Sequence, residues 1–193
     1  LENLDEDERK LVLDSPVKYY IPWHVVYSKS ISTPVRIVFN CSHKTPGGWS
    51  INDCLASGIC SLNNLVEILI RWTSHEWAYH TDVRKMYNAV HLTKAHWCYQ
   101  LYYWQEDLDP NKEPKIKVIK TLIYGSRASG QLAERALRLT AEKNIEKYPV
   151  AHDIIKNDMY MDDTASGNAS EMAGLCDTDQ LTRSLASGNF SLK

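Results

Sequence analysis

The chain has 193 residues, 44% hydrophobic and 24% charged, with a formal net charge of −2. That balance excludes a disordered chain and supplies enough apolar side chains for one sizeable core or two small subdomains. It is neutral on nucleic-acid binding, because an acidic cluster can offset a basic groove and only the local distribution of charge is informative. Five cysteines, Cys41, Cys54, Cys60, Cys98 and Cys176, are odd in number and scattered, which fits reduced thiols inside a cell better than a disulfide framework. The most apolar run, Leu65 to Ile70, is interrupted by Glu67 and is too short to span a bilayer. With no secretory signal either, the expectation is a soluble cytoplasmic protein with no membrane partner.

In chain order, Leu1 to Lys10 is charged and begins without methionine, as a piece of a longer polyprotein would. Tyr19-Tyr20-Ile21, Val25-Val26-Tyr27 and Val35 to Phe39 are short β-branched or aromatic runs, separated by Pro22, Ser28 to Pro34 and the Pro46-Gly47-Gly48 turn, and read as strands. Between Asn52 and Trp72, Leu62, Leu65, Val66, Leu69 and Ile70 recur at helical spacing and predict one core helix with that face on a sheet. Ala78 to Asp82 reads as a strand ending in an acid, and Val83 to Asn88 as a short helix. Cys98 to Trp104 predicts an aromatic strand, Glu106 to Pro114 a polar loop, and Lys115 to Tyr124 a half-buried strand whose alternation breaks at Ile119. Ala128 to Lys147 is the clearest helix, with Ala133, Ala136, Leu137 and Thr140 on one face. Ala151 to Asp158 predicts a further helix, and Ala165 to Glu171 a flexible Ser/Gly/Asn-rich link. The alternation of helix, strand and hairpin predicts an α+β architecture with helices on one face of an antiparallel sheet.

The most informative stretch is Tyr160-Met161-Asp162-Asp163. Adjacent Asp residues in an extended segment point to opposite faces, so both reach one ion cluster only if a tight hairpin turns the backbone there. Asp82 is the best third carboxylate. Three such acids suit a two-metal nucleotidyl transferase.

The order Thr81-Asp82-Val83-Arg84-Lys85-Met86-Tyr87, then Tyr124-Gly125-Ser126-Arg127-Ala128-Ser129-Gly130, then Tyr160-Met161-Asp162-Asp163 resembles motifs A, B and C of a reverse transcriptase. The BEL/Pao group of long-terminal-repeat retrotransposons is the most similar. Tyr20 to Val26, Arg36 to Asn40, Ser50 to Leu55 and Gly188 to Lys193 fit it as well, so the resemblance covers the chain from about Tyr19 onward.

The resemblance implies the fingers and palm of a polymerase right-hand fold. Fingers would take residues 1–78, palm 79–193, with 97–122 returning to the fingers. It implies an RNA-directed DNA polymerase that extends a primer on an RNA or DNA template with deoxynucleoside triphosphates. Asp82, Asp162 and Asp163, with the carbonyl of Val83, would hold two Mg²⁺, with Mn²⁺ able to substitute, since such hard cations take oxygen ligands. Arg36 would grip the triphosphate through bidentate bonds, with Lys29 in a similar role. Tyr87 would be the steric gate against a 2′-hydroxyl. Tyr124 and Gly125 would meet the incoming nucleotide, and Ser129 would open the helix behind them. Lys193, in motif D, would protonate the leaving pyrophosphate.

The chain departs from the family at Asn40, where an acid is usual, and from retroviral types at Asn88 and Tyr124. It also stops at motif D, with no thumb, and the resemblance places protease, RNase H and integrase modules beside this region, in a virus-like particle. A thumbless fragment would bind nucleic acid weakly and with steep salt dependence, so a truncated, inactive remnant is the alternative of another class. A third reading is an unrelated α+β domain in which Asp82 fails to meet the Tyr160 hairpin. A zinc site is weighed as well, because His75 and His80, like His91 and His96, have finger-like spacing near Cys98; the absence of a Cys-x-x-Cys pair favours surface or core histidines.

Overall fold

The computed structural model describes residues 1, 4–29, 34–59, 61–106, 109 and 111–193. Parts of the expected connections at Ser28 to Pro34 and Glu106 to Pro114, and Cys60, lie outside the described residues. In chain order the elements are α1 (Glu6–Leu13), β1 (Trp23–Tyr27), β2 (Val35–Phe39), α2 (Ile51–Cys54), α3 (Leu65–Ser74), β3 (Trp77–Asp82) and α4 (Met86–Ala89). A 3₁₀ turn (Lys94–Tyr99) precedes β4 (Leu101–Trp104) and β5 (Lys115–Val118); α5 (Ser129–Lys143), α6 (Pro149–Asn157), β6 (Met159–Tyr160), β7 (Asp163–Asn168) and α7 (Glu171–Ala186) complete the chain. The chain divides into two compact units, residues 1–57 with 91–129 and residues 58–90 with 130–193.

The first unit is built on two antiparallel ribbons, β1 with β2 and β4 with β5. Alternation on β4 sends Leu101 into a core with Val12 and Trp97, while Tyr102 meets Phe39 edge-on at 5.3 Å. A second core joins Ile21, Cys41 and Ile123. Helix α1 is capped by Asp5, whose carboxylate accepts from the Glu8 backbone N–H at 2.7 Å. Glu8 also takes Lys94 at 2.9 Å and Lys120 at 3.4 Å, tying α1 to the 3₁₀ turn and to the segment that follows β5.

Several sequence expectations shorten here. Tyr19-Tyr20-Ile21 contributes only an isolated bridge from Tyr20 to Leu101. The strand expected to run to Tyr124 ends at Val118, where the alternation breaks. Beyond it, the Gln100 side-chain amide donates to the carbonyls of Ile119 at 3.0 Å and Thr121 at 2.9 Å, and Thr121 forms an isolated bridge with His91.

The second unit carries a three-stranded antiparallel sheet in the order β3-β7-β6. Register pairs Tyr79 with Ser166 and Thr81 with Thr164, putting these four on one face. Helix α7 packs there, its Gly174 backbone beside the Tyr79 ring and its own Leu181 and Leu185 fully buried. The other face carries Ala78, His80, Asp82, Asp163, Ala165 and Gly167, mostly small residues around the acids. Ser191–Lys193 lies antiparallel beside Asp82–Arg84 through a Val83 to Leu192 bridge, so the outer edge of β3 is paired at its end.

The single helix expected from Asn52 to Trp72 is two. Leu55 is extended and ends α2, and Asn64 restarts the chain by accepting from Val66 N–H at 3.0 Å. The packed face also differs: Leu62, Leu65, Val66, Leu69 and Ile70 are exposed and Ile68 is buried. Helix α3 is rolled so that Trp72 Nε1 donates to the Tyr79 carbonyl at 2.9 Å and Arg71 meets Asp158 at 3.0 Å. The link expected at Ala165 to Glu171 is strand β7 followed directly by α7, whose cap Ser170 accepts from Ala173 N–H at 3.3 Å. Small Ser, Gly and Ala side chains there meet the close approach of β3 rather than marking a loop. Among the described residues no helix is long and apolar enough to cross a membrane.

Candidate functional site

Strand β3 delivers Asp82 at its last position, and register sets Asp163, the first residue of β7, directly opposite. Tyr160 of β6 is the other neighbour of Asp163, so Met161 and Asp162 form a two-residue hairpin turn. The expected tight hairpin is therefore present, and it brings the three motif acids to one end of one sheet. Met161 has φ +58°, a conformation usually left to glycine, at a cost of about 1–3 kcal/mol. The Val83 N–H donates to the Asp162 carbonyl at 2.8 Å, pinning the turn to the end of β3. Residues 164–166 after the two acids are strand, so the acids cap no turn there. The same register sets Asp82 against the hairpin, opposite to what the reading as an unrelated domain expects.

Burial, followed by the charges of Asp163 and Asp82, raises the Asp162 carboxyl above its ordinary value. Tyr87, on α4, is half-buried, and burial together with the Asp162 charge raises its phenol. Lys193 exchanges backbone hydrogen bonds with Asp82, at 2.9 and 3.4 Å. Asp163 is held by His80, Nε2 to Oδ1 3.1 Å. Among the described residues, no three His, Cys, Asp or Glu side chains converge closely enough to enclose an ion. That result covers the zinc reading as well: Cys98 is buried, whereas His80, His91 and His96 are exposed, with His96 Nδ1 3.2 Å from Thr93 Oγ1.

The remaining predicted residues belong to the first unit. Arg36 is exposed on β2 opposite Val26, and Lys29 is exposed just past β1. Tyr124 is exposed, and Gly125 has φ +95° with the Phe39 carbonyl oxygen 2.7 Å from where a Cβ would stand. Only glycine fits that approach. Ser129, buried, is the first residue of α5.

Sequence reasoning gave Asn52 no role and weighed His80 only as a zinc ligand. Asn52 clamps the Gly125 loop, donating from Nδ2 to the Gly125 carbonyl at 2.9 Å and accepting the Arg127 N–H at 2.8 Å. His80 lies two residues before Asp82, and the period-2 rule alone would have put it on the same face.

The arrangement is that of a reverse-transcriptase-like α+β fold with the carboxylates at its hairpin. The foamy viral protease-reverse transcriptase dRH in complex with double-stranded DNA matches 90% of this chain at TM-score 0.67 and 13% identity. The foamy viral protease-reverse transcriptase with an RNA/DNA hybrid matches 93% at TM-score 0.64 and 14% identity. The native prototype foamy virus protease-reverse transcriptase matches 92% at TM-score 0.63 and 13% identity. This chain spans 26%, 21% and 21% of those chains, respectively. No protein-family model and no curated protein matches it. The likeness carries no assignment to the BEL/Pao group.

Proposed function

We propose that the chain is the fingers and palm segment of an RNA-directed DNA polymerase from a BEL/Pao-like retrotransposon. The observation that supports this most is the pairing of Asp82 with Asp163 at the mouth of the Met161-Asp162 turn. Three carboxylates and the Val83 carbonyl are hard oxygen donors, and the raised Asp162 carboxyl marks charge that a divalent cation would relieve. These donors are of the chemical kind that Mg²⁺ and Mn²⁺ take. When bound, two such ions supply Lewis-acid stabilisation of the attacking 3′-oxygen and the leaving pyrophosphate oxygen.

The chain's own residues do the rest. Tyr87 sits beside Asp162, where its ring would lie under the sugar of an incoming deoxynucleotide and exclude a 2′-hydroxyl. Arg36 and Lys29 supply cations for the triphosphate, and the Gly125 backbone, held by Asn52, offers a surface that a base can approach closely. Lys193 is the candidate proton donor to pyrophosphate. Nucleic acid as the partner is in keeping with the duplex DNA and the RNA/DNA hybrid bound by two of the foamy viral structures.

The lack of a converged three-ligand group among the described residues favours a second reading, a remnant that retains the fold and binds nucleic acid without turnover. Fluorescence anisotropy with a primed RNA template at stepped salt, followed by dNTP addition in Mg²⁺, separates the two. Salt-sensitive binding with addition supports the polymerase. Binding with no addition supports the remnant, and no binding at low salt overturns both.

A further inference from the structure

We infer that His80 is a positioning residue for Asp163, holding one oxygen of that carboxylate so that the other is presented toward a divalent cation. The inference rests on the polymerase reading, since it concerns the same acids. Pairing of His80 with Ala165 and of Asp82 with Asp163 puts His80 one pair behind the acids, on the same open face and diagonal to Asp163. Diagonal neighbours across an antiparallel pair are within reach of a long side chain. Ala165 opposite is small, and Nε2 reaches past it to Asp163 Oδ1 at 3.1 Å. An ionised carboxylate only accepts, so Nε2–H is the donor, and both the neutral Nε2–H tautomer and the imidazolium provide it.

Both side chains are more than half exposed, at 55% and 58%, so the contact adds little to stability. Its consequence is orientational. Asp163 follows directly on the strained turn and has freedom about its side-chain torsions that a hydrogen bond removes. Metal-binding carboxylates are commonly held by such outer partners, whose removal weakens metal binding about 10–100-fold. His80 thus does for Asp163 what the Val83 N–H does for the backbone of Asp162.

Mn²⁺ titration at fixed pH, following the electron paramagnetic resonance signal of the free ion, tests this without turnover. The chain is compared with Asp162→Asn, His80→Ala, His80→Gln, Asp163→Ala and the His80→Ala/Asp163→Ala double variant, with circular dichroism confirming that each folds. Binding is expected to weaken about tenfold or more in His80→Ala and to recover in part in His80→Gln, whose amide can donate. The histidine substitution is expected to add nothing once Asp163 is gone. Wild-type binding that Asp162→Asn abolishes, with His80→Ala binding as tightly as wild type or tighter, overturns the role of His80 alone. A loss in the double variant beyond that of Asp163→Ala does so too. Absence of Mn²⁺ binding in the wild-type chain overturns the metal reading, and this inference with it.

Discussion

Replacing Gly125 by alanine isolates the close approach that shapes the candidate nucleotide loop. Two costs add. A non-glycine residue at φ +95° loses about 1–2 kcal/mol to local sterics. The new Cβ would also stand 2.7 Å from the Phe39 carbonyl oxygen, a backbone atom of β2 held in register with Trp23, and relieving that overlap costs about 1–3 kcal/mol. The sum, about 2–5 kcal/mol, is a large part of the 5–15 kcal/mol typical of a folded domain. Gly48 provides the control, because its φ is +82° but no atom lies within 4 Å of an added Cβ, leaving only the first cost. Urea unfolding followed by tryptophan fluorescence should therefore place Gly125→Ala about 0.5–1.5 M below Gly48→Ala at an m-value of ~2 kcal/mol/M. Equal midpoints for the two variants would refute the steric argument, and with it the tight fit of the Gly125 loop against β2.

Other outcomes follow from the same geometry. The raised Asp162 carboxyl contributes stability below the ordinary carboxylate pKa and loses it as pH rises through its elevated value, so Asp162→Asn should equal or exceed wild type in melting temperature at pH 7. Solvent screening limits the gain to about 2 °C, calorimetry should show it vanish near pH 3, and a drop of several degrees at pH 7 would contradict the assignment. Burial pushes the Cys41 thiol up to about 11, so iodoacetamide at pH 8 should alkylate exposed Cys54 and Cys176 in the native protein and reach Cys41 only on unfolding, as read by peptide mass spectrometry. Leu181→Ala, at a fully buried position on α7, should cost about 2–5 kcal/mol in the same urea assay. Tyr87→Ala should lower discrimination against ribonucleotides by about tenfold or more in single-nucleotide incorporation, and unchanged selectivity would remove Tyr87 from the gate.

The hairpin was legible because its signal is local: two acids after an aromatic, a strand ending in Asp82, and a turn that must lie between. The strand register follows from those few residues, and the structure keeps it. Helix α7 left a weaker trace. Its apolar pair Leu181 and Leu185 falls in one half, and Met172 and Leu175 in the other half are exposed, so no stripe runs its length. Strand β7 reads as a linker by composition, since Ala165 to Asn168 are small or polar; what makes it a strand is the partner β3, 85 residues earlier where His80 faces Ala165. Helix α3 shows the opposite failure. Its strongest apolar stripe is exposed, and the buried side is chosen by two polar contacts, Trp72 to Tyr79 and Arg71 to Asp158, that no hydrophobic pattern encodes. His80 was visible as a residue, but its contact with Asp163 requires the register first.

Primer extension on an RNA template, at low salt with Mg²⁺ and deoxynucleotides, comparing this chain with Asp162→Asn, tests the central claim most directly. The account predicts template-directed products from the wild-type chain and none from the variant, whose fold is intact. Products from Asp162→Asn at the wild-type rate, or none from either chain on a template that both bind, would contradict it.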